Sequence, residues 1–431
     1  MTSLDVQVVR AQFPSLQPGD NAPAPAGFFE NAGGSFAPQT VIDRWVDYMT
    51  YYKAQPYGPY PAALHGAELI EQATIRMAEF IGAEADEVVL GHSTTLNLAM
   101  LALAIRPGLQ AGDEIIVSQQ DHESNVSPWR RLAEFGVVIR EWPLDPVTGL
   151  LSLATLAEML NSNTRWVCFP HSSNIIGAVN DVAAVVQLAH AAGARVLVDG
   201  VSYAPHHAVD VKALGVDVYA CSLYKIFGPH LGLLYVRREL HGSLANQSLE
   251  FLPALYSKFT QPGAPNALRV KLNPGLVNHE EAVAALGIAD YFDALYVHHF
   301  QAEEAAFGQR VKAVFGLIQQ HEAELSQAWM AYVKERPHLG LIGPAIHNTE
   351  QRSPTWSLRV EGFEPLALGR ALGERGFATQ AGSFYAWRCL QALGIDPARG
   401  VLRISAAHFN TVEEITALGV ALDELCGEAR A

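Results

Sequence analysis

Between about residues 64 and 240 the chain alternates short apolar runs with stretches of helical spacing, and this alternation restricts its fold more than any other feature. The runs are VVLGHS (88–93), EIIVS (114–118), VVIREW (137–142), TRWVCFP (164–170), ARVLVDG (194–200) and DVYACS (217–222). They are short and strongly apolar, as strands buried on both faces are. The segments 67–82 (AELIEQATIRMAEFIG), 94–105 (TTLNLAMLALAI) and 183–193 (AAVVQLAHAAG) carry helical periodicity, and the second starts with polar cap residues. Strand and helix in this order predict an α/β unit with a mainly parallel sheet covered by crossover helices.

After residue 277 the pattern changes. The next fifty or so residues are almost continuously helical, and TWSLRV (355–360), FATQAG (377–382) and VLRISA (401–406) then read as strands between helices at 364–376 and 412–426. This predicts a smaller α+β domain. We expect residues 31–295 to form the large α/β domain, and residues 1–30 with 296–431 the small one. The stretch 253–275, rich in Pro, Gly and Asn, reads as a surface loop.

Charge and cysteine content narrow the function. The net charge of −15 disfavours a nucleic-acid or anionic-membrane partner, since both require clustered positive charge. No apolar run approaches the ~20 residues of a membrane span, and no secretory leader is visible. The four cysteines, Cys168, Cys221, Cys389 and Cys426, form no CxxC pair, which fits a reducing, cytoplasmic setting and argues against structural zinc. Neither His206-His207 nor His298-His299 makes a chelating pair, because adjacent side chains diverge; no metal is expected.

Ligands of open α/β sheets bind at the carboxyl ends of the strands. Asp199 ends one such run, and Lys225 follows another, 26 residues later. The chain has only seven lysines, and the other six lie in loops or among charged helical neighbours. Lysine attacks carbonyls once desolvation removes its proton. A turn or cap role for Asp199 and a snorkelling surface position for Lys225 are the ordinary alternatives. Taken together the two residues fit pyridoxal 5′-phosphate, which needs a lysine to hold its aldehyde and a carboxylate to keep its ring nitrogen protonated. Gly91-His92-Ser93-Thr94-Thr95, between a strand and a helix, has the hydroxyls and free N–H groups for the phosphate; Ser and Thr are also common helix caps.

The segment 196–235 resembles the cofactor segment of class V (fold-type I) pyridoxal-phosphate enzymes, the group of cysteine desulfurases, selenocysteine lyases and isopenicillin N epimerase. FFENAGGSFAP (28–38), DHESNVSPW (121–129), HSSNIIGAVNDV (171–182) and LRISAAHFNTVEEI (402–415) resemble further segments of that family in the same order. The resemblance implies a fold-type I architecture: a large domain with a mainly parallel seven-stranded sheet, and a small α+β C-terminal domain. It also implies pyridoxal 5′-phosphate as cofactor, an amino-acid substrate and a homodimer. Lys225 would carry the cofactor and move protons at Cα. Asp199 would pair with the ring nitrogen, His122 would stack on the ring, and Asn174 and Ser202 would lie near the phenolic oxygen. Ser93, Thr94, Thr95, Ser222 and Tyr224 would hold the phosphate. Arg403 would clamp the substrate carboxylate, with Asn31, Tyr385 and His92 beside the substrate.

Two departures from the family pattern bear on the reaction. In TQAGSFYAWRC (379–389), Tyr385 stands where desulfurases carry their nucleophilic cysteine, and Cys389 lies beyond it. In PGLVNHEEAVAAL (274–286), Leu276 replaces a phosphate-binding threonine that serves the neighbouring subunit; Asn278 either substitutes for it or caps the next helix. The expected activity is a desulfurase-like Cβ–S lyase without a persulfide cysteine. Epimerisation, transamination and β- or γ-substitution are the alternatives, and a non-catalytic binding protein would have little use for Lys225, Asp199, His122 and Arg403 together.

Overall fold

The computed structural model describes residues 3–19, 24–252, 267–301 and 304–428. Seven strands form the central sheet: β1 (Val88–Gly91), β2 (Glu114–Ser118), β3 (Val138–Trp142), β4 (Thr164–Pro170), β5 (Arg195–Asp199), β6 (Val218–Ser222) and β7 (Gly232–Val236). Their order is β1-β7-β6-β5-β4-β2-β3. The pairs β6–β5, β5–β4, β4–β2 and β2–β3 are parallel, and β7 runs antiparallel between β1 and β6.

Alternate residues of every strand but the edge strand β3 enter different cores, which is why those runs are strongly apolar. Ile116, Val167, Phe169, Val196, Val198 and Tyr219 pack on one face; Ile115, Val117, Trp166, Cys168, Leu197 and Val218 pack on the other. The first face is covered by α1 (Pro61–Phe80), through Ile70, Ala73 and Met77, and by α3 (Val182–Ala191), through Val185 and Ala189. The second is covered by α2 (Thr94–Ile105), through Leu98, Leu101 and Ile105. Gly287 shows how closely helices approach the first core: a methyl there would stand 2.4 Å from Val41 Cα.

The long helical stretch is not continuous. It divides into a short helix at His279–Ala284, α4 (Leu286–Phe300) and α5 (Phe307–Lys334), with Gln301 ending α4 in the left-handed region at φ 49°. Helix α5 joins two cores: Val311, Val314 and Ile318 pack in the larger one, and Leu325, Trp329 and Met330 in a C-terminal one. The C-terminal sheet has β8 (Thr355–Leu358), β9 (Gln380–Gly382) and β10 (Val401–Ser405) in the antiparallel order β9-β10-β8, backed by α6 (Val412–Glu428). The run FATQAG splits, because Phe377–Ala378 pairs in parallel with Gly27–Phe28 before β9 begins.

We propose the domain division 31–295 against 1–30 with 296–431. Val9 and Phe13 pack in the larger core, and Phe29 packs in the smaller. Of the predicted surface loop, residues 253–266 lie outside the described residues. Ala267–Leu272 is a helix whose Leu268 and Leu272 are buried, so apolar spacing there outweighs the nearby Pro and Asn. Among the described residues no helix is long and apolar enough to cross a membrane.

Candidate active site

The pocket opens at the carboxyl ends of β4, β5 and β6, where Pro170, Asp199 and Ser222 end adjacent strands. Asp199 is buried, and its Oδ1 accepts the Val201 N–H at 2.9 Å. Burial raises this carboxyl to about 6, opposed by the Val201 bond and the charge of Lys225. The chain leaves β5 through Gly200, where a methyl would stand 2.1 Å from the Tyr219 ring.

Lys225 closes a tight turn after β6. Ile226 N–H and Gly228 N–H both donate to Leu223 O at 2.8 Å, and Phe227 N–H donates to Ser35 Oγ at 3.1 Å. The turn buries the amine, and burial, then the nearby Arg403 charge, lower it to about 8, against the pull of Asp199 and Glu30. A neutral amine is thus accessible near neutral pH, as a base or nucleophile requires.

Opposite the lysine, the N-terminus of α2 faces the same pocket with Ser93, Thr94 and Thr95. Ser93 caps the helix, its Oγ accepting Leu96 N–H at 3.1 Å. Thr94 Oγ1 donates to Cys221 O at 2.8 Å and lies 2.6 Å from Ser222 Oγ, which joins the helix start to the end of β6. Gly232 lets β7 run beside this turn, since a methyl there would meet Thr94 N at 2.4 Å. Tyr224 and His230 pack edge-on at 4.5 Å and complete this side. Hydroxyls, a helix N-terminus and an imidazole in one cluster suit a phosphate.

His122 lines both this pocket and the adjoining opening. Its Nδ1 accepts Ser124 N–H at 3.1 Å, and burial, with Lys225 and Arg403 nearby, holds the ring down at about 3, so it is neutral. Beneath it, Asp121 accepts His122 N–H at 2.9 Å and Asn125 Nδ2–H at 2.7 Å. Burial and the Asp199 charge push Asp121 toward its neutral acid form. Ser202 is buried in the same wall. Asn174 donates from Nδ2 to Phe384 O at 2.9 Å, while its buried Oδ1 has no partner. An orphaned amide oxygen in a wall that holds an amine, a carboxyl and hydroxyls marks a place for a polar ligand.

The adjoining opening adds Glu30, Gln380, Ser383, Phe384, Tyr385 and Arg403. Strand β10 carries Arg403, which is buried, donates from Nη1 to Asn174 O at 3.2 Å and lies 3.3 Å from Glu30 Oε1. Its guanidinium stacks 3.8 Å over the Phe384 ring. Phe384 and Tyr385 are both left-handed, at φ 52° and 55°, a strained pair held where Tyr385 O accepts Glu123 N–H at 2.8 Å. The Tyr385 ring is largely exposed and its centroid lies 5.3 Å from that of His122.

Two expected site residues stand elsewhere. His92 is exposed and its Nε2 lies 3.0 Å from Leu276 O, outside the lining of both openings. Asn31 donates from Nδ2 to Ser405 O at 3.0 Å and Phe28 O at 3.2 Å, so it ties the 28–34 turn to β10 and does not line the opening. Asn278 caps the helix at 279–284. All four cysteines are buried, and burial pushes the Cys389 thiol up to about 12. Among the described residues no group of three or more His, Cys, Asp or Glu is placed to hold a metal. Glu30, Asp121 and His230 were not singled out from the sequence; Glu30 and Asp121 each stand directly before a residue that was (Asn31 and His122), and that proximity is the only signal.

The model of the family "Aminotransferase class-V" matches residues 27–418. The chain is 33% identical over 431 residues to the aminotransferase-like protein FGM3 of Gibberella zeae, covering 98% of each. It is 31% identical to the nonribosomal peptide synthetase-like enzyme fsqF of Aspergillus fumigatus, with 97% of this chain spanning 26% of that one. A cysteine desulfurase of Dickeya dadantii is 30% identical, with 97% of this chain and 96% of that one covered. The apo cysteine desulfurase from Thermococcus onnurineus NA1 shares the fold, with a TM-score of 0.82, 23% identity and 99% of each chain covered. With these matches across nearly its full length, the chain belongs to the class-V aminotransferase family, a cysteine desulfurase-like group of pyridoxal 5′-phosphate enzymes.

Proposed function

We propose that this enzyme acts at the α-carbon of an amino acid carrying sulfur or another leaving group at Cβ, as a desulfurase-like lyase without a persulfide cysteine. The observation that carries the reading is the opening beside Lys225: Arg403 lines it, Tyr385 stands at its mouth, and no cysteine does. The bound cofactor supplies an aldehyde that condenses with amines and a ring that draws electrons from Cα. Of the residues lining this pocket, Lys225, Asp199, His122, Asn174 and Ser202 would hold its ring, and Ser93, Thr94, Thr95, Ser222 and Tyr224 its phosphate. The Arg403 fork would orient the substrate by its carboxylate. Lys225, displaced by the substrate amine, would take the Cα proton, for which a value of about 8 suits it. Asp199 would hold the ring nitrogen's proton, and neutral His122 would cover the ring without adding charge.

Sulfide or pyruvate release from cysteine and its S-substituted analogues tests the reading. One observation favours epimerisation as a second reading: Tyr385 places a phenol at the mouth, where it could return a proton to Cα. Deuterium uptake at Cα with the amino acid conserved would establish that reading in place of the first. We propose a homodimer as well, supported by exposed Trp45, Val46, Met49 and Tyr51 in one helical stretch. A cytoplasmic setting fits four buried cysteines that form no disulfide among the described residues.

A further inference from the structure

Glu30 is a carboxylate in the substrate opening with no part in the chemistry above. It lies 3.3 Å from Arg403 Nη2, and among the described residues that guanidinium also contacts Asn174 O and the Phe384 ring. Arg403 Nε is buried with no partner. Glu30 is therefore the counter-charge of a buried guanidinium, which is costly to leave bare. The turn is shaped to seat it: a methyl on Gly33 would stand 1.9 Å from Glu30 Oε1 and 2.5 Å from Cδ and Oε2. Gly33 does not lie in the left-handed region, so glycine is needed there for the room it gives the carboxylate and not for its backbone freedom. The turn is fixed independently, by Gly33 N–H to Glu30 O at 2.9 Å and Ala32 N–H to Ser405 Oγ at 2.8 Å.

We propose that Glu30 is a specificity-determining residue that holds the Arg403 fork in the resting enzyme, and that a substrate carboxylate binds by taking this place from it. The inference rests on the reading of Arg403 as the substrate-carboxylate clamp. Displaced, Glu30 stays in the wall of the opening, because its backbone is fixed. The opening then carries a negative charge beside the substrate side chain and disfavours amino acids whose side chain is acidic.

The test is calorimetric titration of the holoenzyme with propionate, a carboxylate without an amine. Four proteins are compared: wild type, Glu30→Gln, Gly33→Ala and Arg403→Gln. Glu30→Gln removes the competing charge, and Gly33→Ala keeps the charge but drives it off its seat. Each is expected to bind propionate about tenfold more tightly than wild type, on the scale of a partly buried charge pair. Arg403→Gln is expected to abolish binding. Unchanged or weaker binding in both Glu30→Gln and Gly33→Ala, with binding still lost in Arg403→Gln, overturns the place-holder and leaves the clamp standing. Binding retained in Arg403→Gln overturns the clamp, and the place-holder with it.

Discussion

Asp199→Asn separates a carboxylate kept for chemistry from one kept for stability. The substitution is nearly isosteric, and the amide oxygen can still accept the Val201 N–H now bonded at 2.9 Å. What it removes is a charge that burial disfavours, since the carboxyl rises from 3.8 to about 6. A shift of that size corresponds to about 3 kcal/mol against the ionised form. Because the folded value lies above the unfolded one, this penalty is absent below about pH 4 and complete above about pH 6. Lys225 offsets part of the gain: Asp199 helps keep it charged, so the substitution lowers the amine further below its ordinary value. The apoprotein variant is expected to unfold within about 1 kcal/mol of wild type near neutral pH, or to be more stable; breaking an ordinary buried ion pair costs about 3–5 kcal/mol. Urea denaturation of both apoproteins near pH 7.5 and pH 5, followed by circular dichroism, measures this, and any advantage of the variant should shrink at the lower pH. In the holoenzyme, Cα hydrogen exchange with an amino acid should fall by at least ~100-fold, the scale of losing a preorganised charge. A stability loss above about 2 kcal/mol near pH 7.5, or exchange at the wild-type rate, would show that Asp199 is kept for stability.

Gly232→Ala should lower cofactor affinity by on the order of tenfold, since the methyl meets Thr94 N at 2.4 Å and the first turn of α2 must shift against overpacking of about 1–3 kcal/mol. Absorbance titration of the apoprotein measures it. Cys389→Ser should leave turnover within about twofold, because the thiol is buried and pushed up to about 12; loss of sulfur release would instead restore a persulfide role. Arg403→Lys should raise KM about tenfold or more with a smaller change in kcat, because an ammonium cannot reproduce the two-pronged contact of the guanidinium. Steady-state kinetics with the best amino-acid substrate decides it.

Much of the framework was legible because it depends on local pattern. Runs such as 164–170 and 194–200 are apolar on both faces because both faces are covered; the acid ends one such run and the lysine follows another. The break at Gln301 was not legible, since both flanks keep helical spacing and the left-handed turn at Gln301 leaves no mark in it. Nor was β7, which follows the lysine turn directly and enters the sheet antiparallel between β1 and β6. The Glu30–Arg403 contact joins residues 373 positions apart, one in the turn after Gly27–Phe28 and one in the middle of β10. Asp121 is held toward its neutral form by burial and the Asp199 charge, a coupling no spacing reveals. His92 was misplaced because a Gly-His-Ser turn shows which residue caps the helix but not where the preceding side chain points.

Of the seven lysines, Lys225 alone is proposed to carry the cofactor. Borohydride reduction of the holoenzyme, followed by proteolysis and mass spectrometry, identifies the carrier. A single pyridoxyl-modified peptide containing Lys225 is expected, with the modification and the visible absorption band both lost in Lys225→Ala. A modified peptide centred on another lysine, or a protein that takes up no cofactor, would overturn the assignment.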